Sequence, residues 1–350
     1  MEYITKLVDS YKHLRSKKQL QSAYKGKYAF VGVGGHSMNN LYPVLSYLHV
    51  PLKYICCRSE DKVRLIEQRY ENVIATTSLD DILKDNDIKG VFVSASPSAH
   101  FSLSSKILES GKSLFVEKPP CTTLQEFQEL IKIRRAHGVP VAVAGMQKRY
   151  SPLTRTLKEK LRHGKVVGYN LKYLTGAYPE GDMVLDLFIH PLDLVTCLFG
   201  KAEIKCAEKV EDSNGSSTFF VVLKHRDVTG CLELSTAYSW TDAKESLTVN
   251  TMKGVYTLEQ MEKLTFSPKQ SVVMGIPVEK VIPRHNTVVE LFSRNNFVPT
   301  FVNNQIYSQG YFDELKAFVD SVESSQPVKT CSWEELLDTY ALLDAIRRGC

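Results

Sequence analysis

Lys118, Asp186 and His190 are the residues of this chain whose chemistry and spacing suit proton and charge transfer. An imidazole titrates near neutral pH, so His190 has the chemistry of a general acid or base. Lys118 follows the run Phe115-Val116-Glu117 and stands at the end of an expected strand, where a fixed ammonium can stabilise a developing alkoxide and lower its neighbour's proton affinity. In a helix Asp186 and His190 share a face, so the carboxylate would orient the imidazole or help bind substrate. Tyr178 lies shortly before them and lines the same pocket or packs in a turn. A lone histidine on an apolar helix is more often a satisfied core residue, and a lone strand-end lysine is often merely exposed. The order Asp186, His190, Asp193 weighs towards chemistry, with Asp193 read as a cap or brace. Pro191 disfavours helical geometry at His190 and predicts a kink or a helix start there.

A second constellation reads as an anion cradle. Gly32-Val33-Gly34-Gly35-His36-Ser37 runs out of a β-branched stretch and into a helix carrying Leu41 and Leu45. A tight turn and a close backbone approach to a pyrophosphate both need residues without a Cβ, and a helix N-terminus offers unpaired N–H groups to the anion. Ser37 takes the third glycine position, where a small residue still lets helix and strand pack. Pro43 removes one N–H and is expected to disturb this helix. The next strand ends Cys56-Cys57-Arg58-Ser59, where an NAD-specific sheet would usually place an acid for the ribose hydroxyls. Arg58 and Ser59, with Lys62 one turn on, suit a 2′-phosphate instead, so NADP is favoured over NAD. The bland alternative for Arg58 is a solvated surface residue.

These residues need strand ends to hold them. From Lys27 onward β-branched runs alternate with helical stretches: 28–33, 52–57, 73–75, 90–94, 113–116 and 139–144 read as strands. Leu41, Val44, Leu45 and Leu48 give one helix a single buried face, and 59–70, 99–109 and 124–136 behave similarly. Strands joined through helices pair in parallel with right-handed crossovers, so the fold class is α/β with an N-terminal Rossmann doubly wound sheet. After Gln147 one helical block, 183–199, precedes runs at 202–210, 218–224, 229–238, 247–251 and 255–258. Strands joined without helices imply a large, mostly antiparallel sheet in a C-terminal α+β domain, closed by helices near 311–324 and 333–348. The expected division is an N-terminal helical extension over 1–26, a dinucleotide-binding domain over 27–146 and a substrate-binding and oligomerisation domain over 147–350.

Composition narrows the function classes. A chain of 350 residues with 43% hydrophobic and 24% charged residues is globular and long enough for two cores. The charge of +5 comes from 44 basic against 39 acidic residues without a like-charged run, which favours neither nucleic acid nor an acidic membrane. The eight cysteines, at 56, 57, 121, 197, 206, 231, 331 and 350, show no metal-type spacing and fit a reducing, cytoplasmic compartment. No metal is expected. The apolar positions among the first residues are scattered, unlike a signal peptide. A sheet with only one face covered by helices has another to hide, so a homodimer or homotetramer through the C-terminal sheet is expected.

The fourth strand ends Ser94-Ala95-Ser96-Pro97-Ser98-Ala99-His100 and the fifth Glu117-Lys118-Pro119-Pro120. With the glycine turn, with Gly145-Met146-Gln147-Lys148-Arg149-Tyr150-Ser151-Pro152 and with Asp186-x-x-x-His190-x-x-Asp193, the chain resembles the Gfo/Idh/MocA oxidoreductases from about Lys27 to its end. Glu117-Lys118-Pro119 is the most specific mark of the resemblance. It implies hydride transfer between nicotinamide and a hydroxyl-bearing carbon of a sugar, polyol or derivative, with Lys118, Asp186 and His190 in the parts described above. Gly32, Gly34, Gly35, His36, Ser37, Arg58, Ser59, Ser94, Ser96, His100, Glu117, Lys118 and Arg149 form the expected cofactor set, and Lys118, Tyr178, Asp186 and His190 the expected substrate set. Within them Glu117 reads as a structural or cofactor-side group, His36 and His100 as cofactor neighbours or packing residues, and Arg149 as a contact to cofactor or anionic substrate. Many relatives carry Gly where this chain has Phe188, a bulk that alters the pocket wall or turns into the core. Two alternatives stay open: transient oxidation on a retained cofactor for elimination or epimerisation, and a non-catalytic nucleotide sensor.

Overall fold

The computed structural model describes residues 2–20, 24–282 and 287–349; Cys350 and residues 21–23 of the N-terminal segment lie outside the described residues. The chain divides into two compact units: Met1–Glu117 with Ile133–Val143 and Leu315–Val328, and Lys118–Lys132 with Ala144–Glu314 and Lys329–Cys350. Among the described residues no helix is long and apolar enough to cross a membrane.

The first unit is built on strands β1 (Lys27–Val31), β2 (Leu52–Cys56), β3 (Ile74–Thr76), β4 (Ile88–Val93), β5 (Ser113–Val116) and β6 (Ala142–Ala144). They lie in the order β3-β2-β1-β4-β5-β6, with parallel pairing from β3 through β5. Tyr28, Ala29 and Phe30, then Val91 to Val93, then Leu114 to Val116, are fully buried, as the near-continuous apolar runs of a doubly covered parallel sheet require. Strand order reverses between β1 and β4, which opens a crevice at the carboxyl ends of the strands. The sheet's aromatic core gathers on Phe92, whose ring centroid lies 5.9 Å from Phe30, 5.7 Å from Phe115 and 5.0 Å from Phe318. Phe318 belongs to the late helix Tyr311–Ser324, so a segment remote in sequence completes this core. The helix Glu2–Leu20 turns Tyr3, Ile4, Leu7, Val8, Tyr11 and Leu14 towards solvent.

The second unit holds a sheet of β7 (Val166–Leu174), β8 (Ala202–Glu211), β9 (Ser217–His225), β10 (Thr229–Ser235), β11 (Lys244–Thr251), β12 (Gly254–Glu259), β13 (Lys263–Pro268) and β14 (Val289–Ser293). Their order is β14-β13-β12-β11-β7-β10-β9-β8, antiparallel throughout except where β10 runs parallel to β7. The sequence expectation omitted β7, β13, β14 and the helix Pro152–Arg162. β7 is the sheet's centre, yet its inward Tyr169 and Leu171 alternate with Gly168, Asn170 and Lys172, too polar a string to stand out as an apolar run. The expected block 183–199 is two helices, Met183–Asp186 and Ile189–Phe199. Pro191 has no N–H to give the Leu187 carbonyl, and the His190 N–H donates to it instead at 3.3 Å, so the second helix starts afresh.

Truncating Phe318 to Ala removes a ring packed against Phe92 and Phe115 and is expected to cost ~3–5 kcal/mol in urea unfolding. A loss below ~1 kcal/mol would mean that the returning helix does not complete this core.

Candidate functional site

The first unit's crevice is shaped by the turn after β1. Gly32 has φ +107°, and a Cβ there would lie 2.0 Å from the Ser94 carbonyl oxygen, so only glycine fits. A Cβ on Gly34 or Gly35 would meet nothing within 4 Å, which leaves open the space a closely approaching anion would take. Buried Ser37 braces the turn: its Oγ accepts from the Gly34 N–H at 2.9 Å and donates to the Gly34 carbonyl at 3.0 Å. The following helix begins as a wide π turn over Ser37–Leu41, the Tyr42 N–H reaching Ser37 O, before the α-helix Tyr42–Tyr47. Pro43 offers no N–H to a regular i→i−4 ladder, which accounts for the disturbance expected there.

Gly32, Gly34, Gly35, His36, Ser37, Arg58, Ser59, Ser94 and Ser96 line one cleft of about 800 Å³. Lys62 joins them and donates to the Val33 carbonyl at 3.0 Å, pinning the glycine turn. Thr77, Leu79 and Leu103 also line the cleft and escaped the sequence reading: Leu79 and Leu103 are apolar wall residues on helices, which carry the same periodic signal as core residues, and Thr77 lies in a loop without a local mark. His36 Nδ1 accepts from the Asn40 side-chain amide at 3.1 Å, which leaves Nε2 as the N–H that meets buried Glu117 Oε1 at 3.3 Å. His100 is 1% exposed, its Nε2 accepts the Ala95 N–H at 3.2 Å, and it is not among the residues lining the cleft.

In the second unit, half-buried Lys118 donates from Nζ to the backbone carbonyl of Asp186 at 2.7 Å, across 68 residues of sequence. The Asp186 carboxylate accepts from the Tyr178 hydroxyl at 3.2 Å. Burial raises the Asp186 pKa above the ordinary carboxylate value, against the opposing pull of the Tyr178 hydrogen bond and the Lys118 charge. Burial, and then the Asp186 charge, push the Tyr178 hydroxyl up to about 12, so it stays a donor at neutral pH. A Cβ on Gly181 would sit 2.4 Å from Asp186 Oδ2, so this glycine lets the carboxylate approach the backbone; nothing in its local sequence marked it. Asp182 accepts from the N–H groups of Val184 and Leu185 and caps the short helix that ends at Asp186.

His190 is 9% exposed and stands in the first turn of the second helix, so it and Asp186 lie on two successive helices rather than on the one continuous helix expected. Phe188 turns into the core, fully buried and edge-on to Tyr173 and Phe219 with centroids at 6.4 and 5.7 Å. Arg149 is held by carboxylates. Its Nε and Nη2 donate to Asp193 at 2.8 and 2.7 Å and its Nη1 to Glu335 at 2.8 Å, so the buried guanidinium is committed to an internal ion pair. Burial opposes its charge, yet Asp193 more than compensates and raises the Arg149 pKa well above its usual value.

Residues 26–145 match the profile of an oxidoreductase family with an NAD-binding Rossmann fold, GFO_IDH_MocA. An uncharacterized oxidoreductase of Bacillus subtilis, YrbE, is 23% identical over 180 residues, covering 49% of this chain and 52% of the relative. The chain thus spans about half the length of the curated relatives it matches. An oxidoreductase from Agrobacterium radiobacter, solved with NAD+, L-tartaric acid and magnesium, superposes with a TM-score of 0.74 at 15% identity, over 93% of this chain and 97% of the other. KijD10, a 3-ketoreductase from Actinomadura kijaniata solved with NADP, gives 0.72 at 16% identity over the same shares, 93% and 97%. At such identities the likeness speaks to the fold.

The raised pKa of Asp186 fixes the sign of a pH effect. Its folded form holds a proton more tightly than its unfolded form, so its contribution to stability is full below the ordinary carboxyl range and is lost as pH rises through the raised value. Asp186→Asn should therefore flatten the decline in melting temperature from about pH 4 upward. A decline of unchanged slope in the variant would remove Asp186 as its source.

Proposed function

We propose that the chain, whose residues 26–145 match the Gfo/Idh/MocA oxidoreductase model, belongs to that family and moves a hydride between a nicotinamide dinucleotide and a hydroxyl-bearing carbon of a sugar, polyol or derivative. The observation that carries this reading is the 2.7 Å contact of Lys118 Nζ with the Asp186 carbonyl, which joins the Glu117-Lys118-Pro119 segment to the Asp186 segment.

The open space over Gly34 and Gly35 and the cleft of about 800 Å³ fit a dinucleotide. The glycine turn would hold its pyrophosphate, Ser94 and Ser96 would flank it, and Arg58 and Ser59 would meet its 2′ position. The nicotinamide, when bound, supplies the hydride acceptor or donor. Lys118 is already oriented by Asp186, so its ammonium can hold an alcohol oxygen and stabilise the charge that builds on it. An imidazole nitrogen of His190 takes the hydroxyl proton during oxidation and returns it during reduction. The Tyr178 hydroxyl and the Asp186 carboxylate give a donor and an acceptor for a neighbouring substrate hydroxyl, which orients the reacting carbon. NADP is preferred, through the Arg58 guanidinium and the absence of a ribose-gripping acid at the end of β2.

With a panel of sugars and polyols followed by nicotinamide absorbance, Lys118→Ala and His190→Ala should each lower kcat by ~10²–10⁴-fold. Cofactor affinity, read by fluorescence titration, should stay within ~3-fold. Unchanged turnover would exclude that residue from the chemistry. Arg58→Ala should raise KM for NADP by ~10-fold or more with KM for NAD nearly constant. A wild-type protein that strongly prefers NAD would refute the assignment of the 2′ site.

A further inference from the structure

The helix Pro152–Arg162 buries Leu153, Leu157 and Leu161 and turns Arg155, Lys158, Glu159 and Arg162 to its other side. That polar face forms one wall of a cavity of about 450 Å³ in the second unit. The facing wall includes Lys329, Thr330 and Cys331, a segment anchored where the Tyr150 hydroxyl donates to the Thr330 carbonyl at 2.9 Å. His163, Cys197, Glu335 and the edge of Arg149 also line it.

The charges around this cavity do not cancel. Arg149 is paired with Asp193 and Glu335, and Arg155 with Asp313. The Lys158 ammonium points instead at the Cys197 sulfur, 3.6 Å away. Neither Arg162 nor Lys329 meets a carboxylate within 4.0 Å among the described residues. Three cations therefore face one unspent carboxylate, Glu159, in a concave site whose protein walls concentrate their field. Ammonium and guanidinium groups that converge without a carboxylate partner are what phosphate oxygens require.

We propose that this cavity binds the phosphate group of a small phosphorylated molecule, held by Lys158, Arg162 and Lys329. A volume of about 450 Å³ exceeds what a lone ion needs and falls in the range of small-ligand sites, so the phosphate carries an organic portion into the cavity. Arg149 contributes field rather than a ligand bond, since its guanidinium is already held by two carboxylates. Nothing in this proposal depends on hydride chemistry.

Cys197 lines the cavity and is a built-in reporter, while Cys206 and Cys231 are exposed elsewhere and serve as controls. The full chain, with its dinucleotide cleft saturated by NADP, is treated with iodoacetamide at rising inorganic pyrophosphate, and alkylation of each thiol is followed by peptide mass spectrometry. Pyrophosphate should slow Cys197 alkylation saturably and leave Cys206 and Cys231 unaffected. Arg162→Ala with Lys329→Ala should raise the half-saturating concentration by ~10-fold or more. Both side chains are exposed, so the fold should tolerate their loss; Lys158→Gln provides an independent variant with the same expected direction. Absence of protection, equal protection in the variants, or equal protection by sodium chloride at matched ionic strength would each overturn the proposal.

Discussion

The buried pair of Arg149 and Asp193 is the constraint on which the second unit turns. Two carboxylate oxygens accept from two guanidinium nitrogens at 2.8 and 2.7 Å, both side chains are almost wholly enclosed, and Thr339 donates to Asp193 Oδ1 at 3.1 Å. Taking such charges out of water is costly, and their attraction repays that cost only when geometry and further hydrogen bonds are good. The pair therefore acts chiefly as a restraint. Arg149 lies in the 3-10 turn Gln147–Tyr150, Asp193 in the helix Ile189–Phe199, and Thr339 and Glu335 in the helix Trp333–Gly349. One ion pair thus fixes three segments, including the helix whose first turn carries His190.

The first unit is governed by exclusion instead. Gly32 approaches the Ser94 carbonyl so closely that no side chain is allowed, while Gly34 and Gly35 face empty space. The first glycine is demanded by the protein itself; the other two leave room for something beyond it. Ser37 then uses its hydroxyl twice on Gly34, spending that residue's backbone groups on the turn's shape. The shape of the turn is consequently set by the protein's own contacts.

Legibility in the sequence follows the range of the interactions concerned. The strands of the first sheet were readable because each is a short apolar run between turn residues; β1, β4 and β5 are largely buried, while β3 at the sheet's edge is not. The glycine turn, Arg58-Ser59 and the Ser94 and Ser96 positions were readable because strand ends in such sheets converge on one crevice, and their side chains line a single cleft. The break before His190 was foreshadowed by Pro191, a purely local effect. What escaped was mainly tertiary. Arg149 invites an anionic ligand when read alone, but its partners stand 44 and 186 residues away. β7 pairs with β10 and β11 rather than with a sequence neighbour; the close approach of Gly181 to Asp186 is local, yet a glycine before a helix carries no signature for it. His100 is a second such case. Its contact with Ala95 is local, yet nothing in the sequence marks a histidine at a strand end as the acceptor of a backbone N–H five residues before it.

The same clasp separates two kinds of positive charge in the second unit. An anion reaching the cavity beside Arg149 would have to displace a bidentate carboxylate already desolvated with it, and breaking such a pair costs ~3–5 kcal/mol. A phosphate at the cavity gains a comparable amount only from several charge-assisted hydrogen bonds, each worth ~1.5–3 kcal/mol. Competition for Arg149 is therefore unprofitable, whereas Lys158, Arg162 and Lys329 have no carboxylate within 4.0 Å to surrender among the described residues. The more deeply buried cation is the one least available to a ligand, and the exposed cations nearby are the ones whose charge an incoming anion can use. Distance from a cavity is consequently a poor guide to which basic residue binds; the decisive quantity is what each already holds.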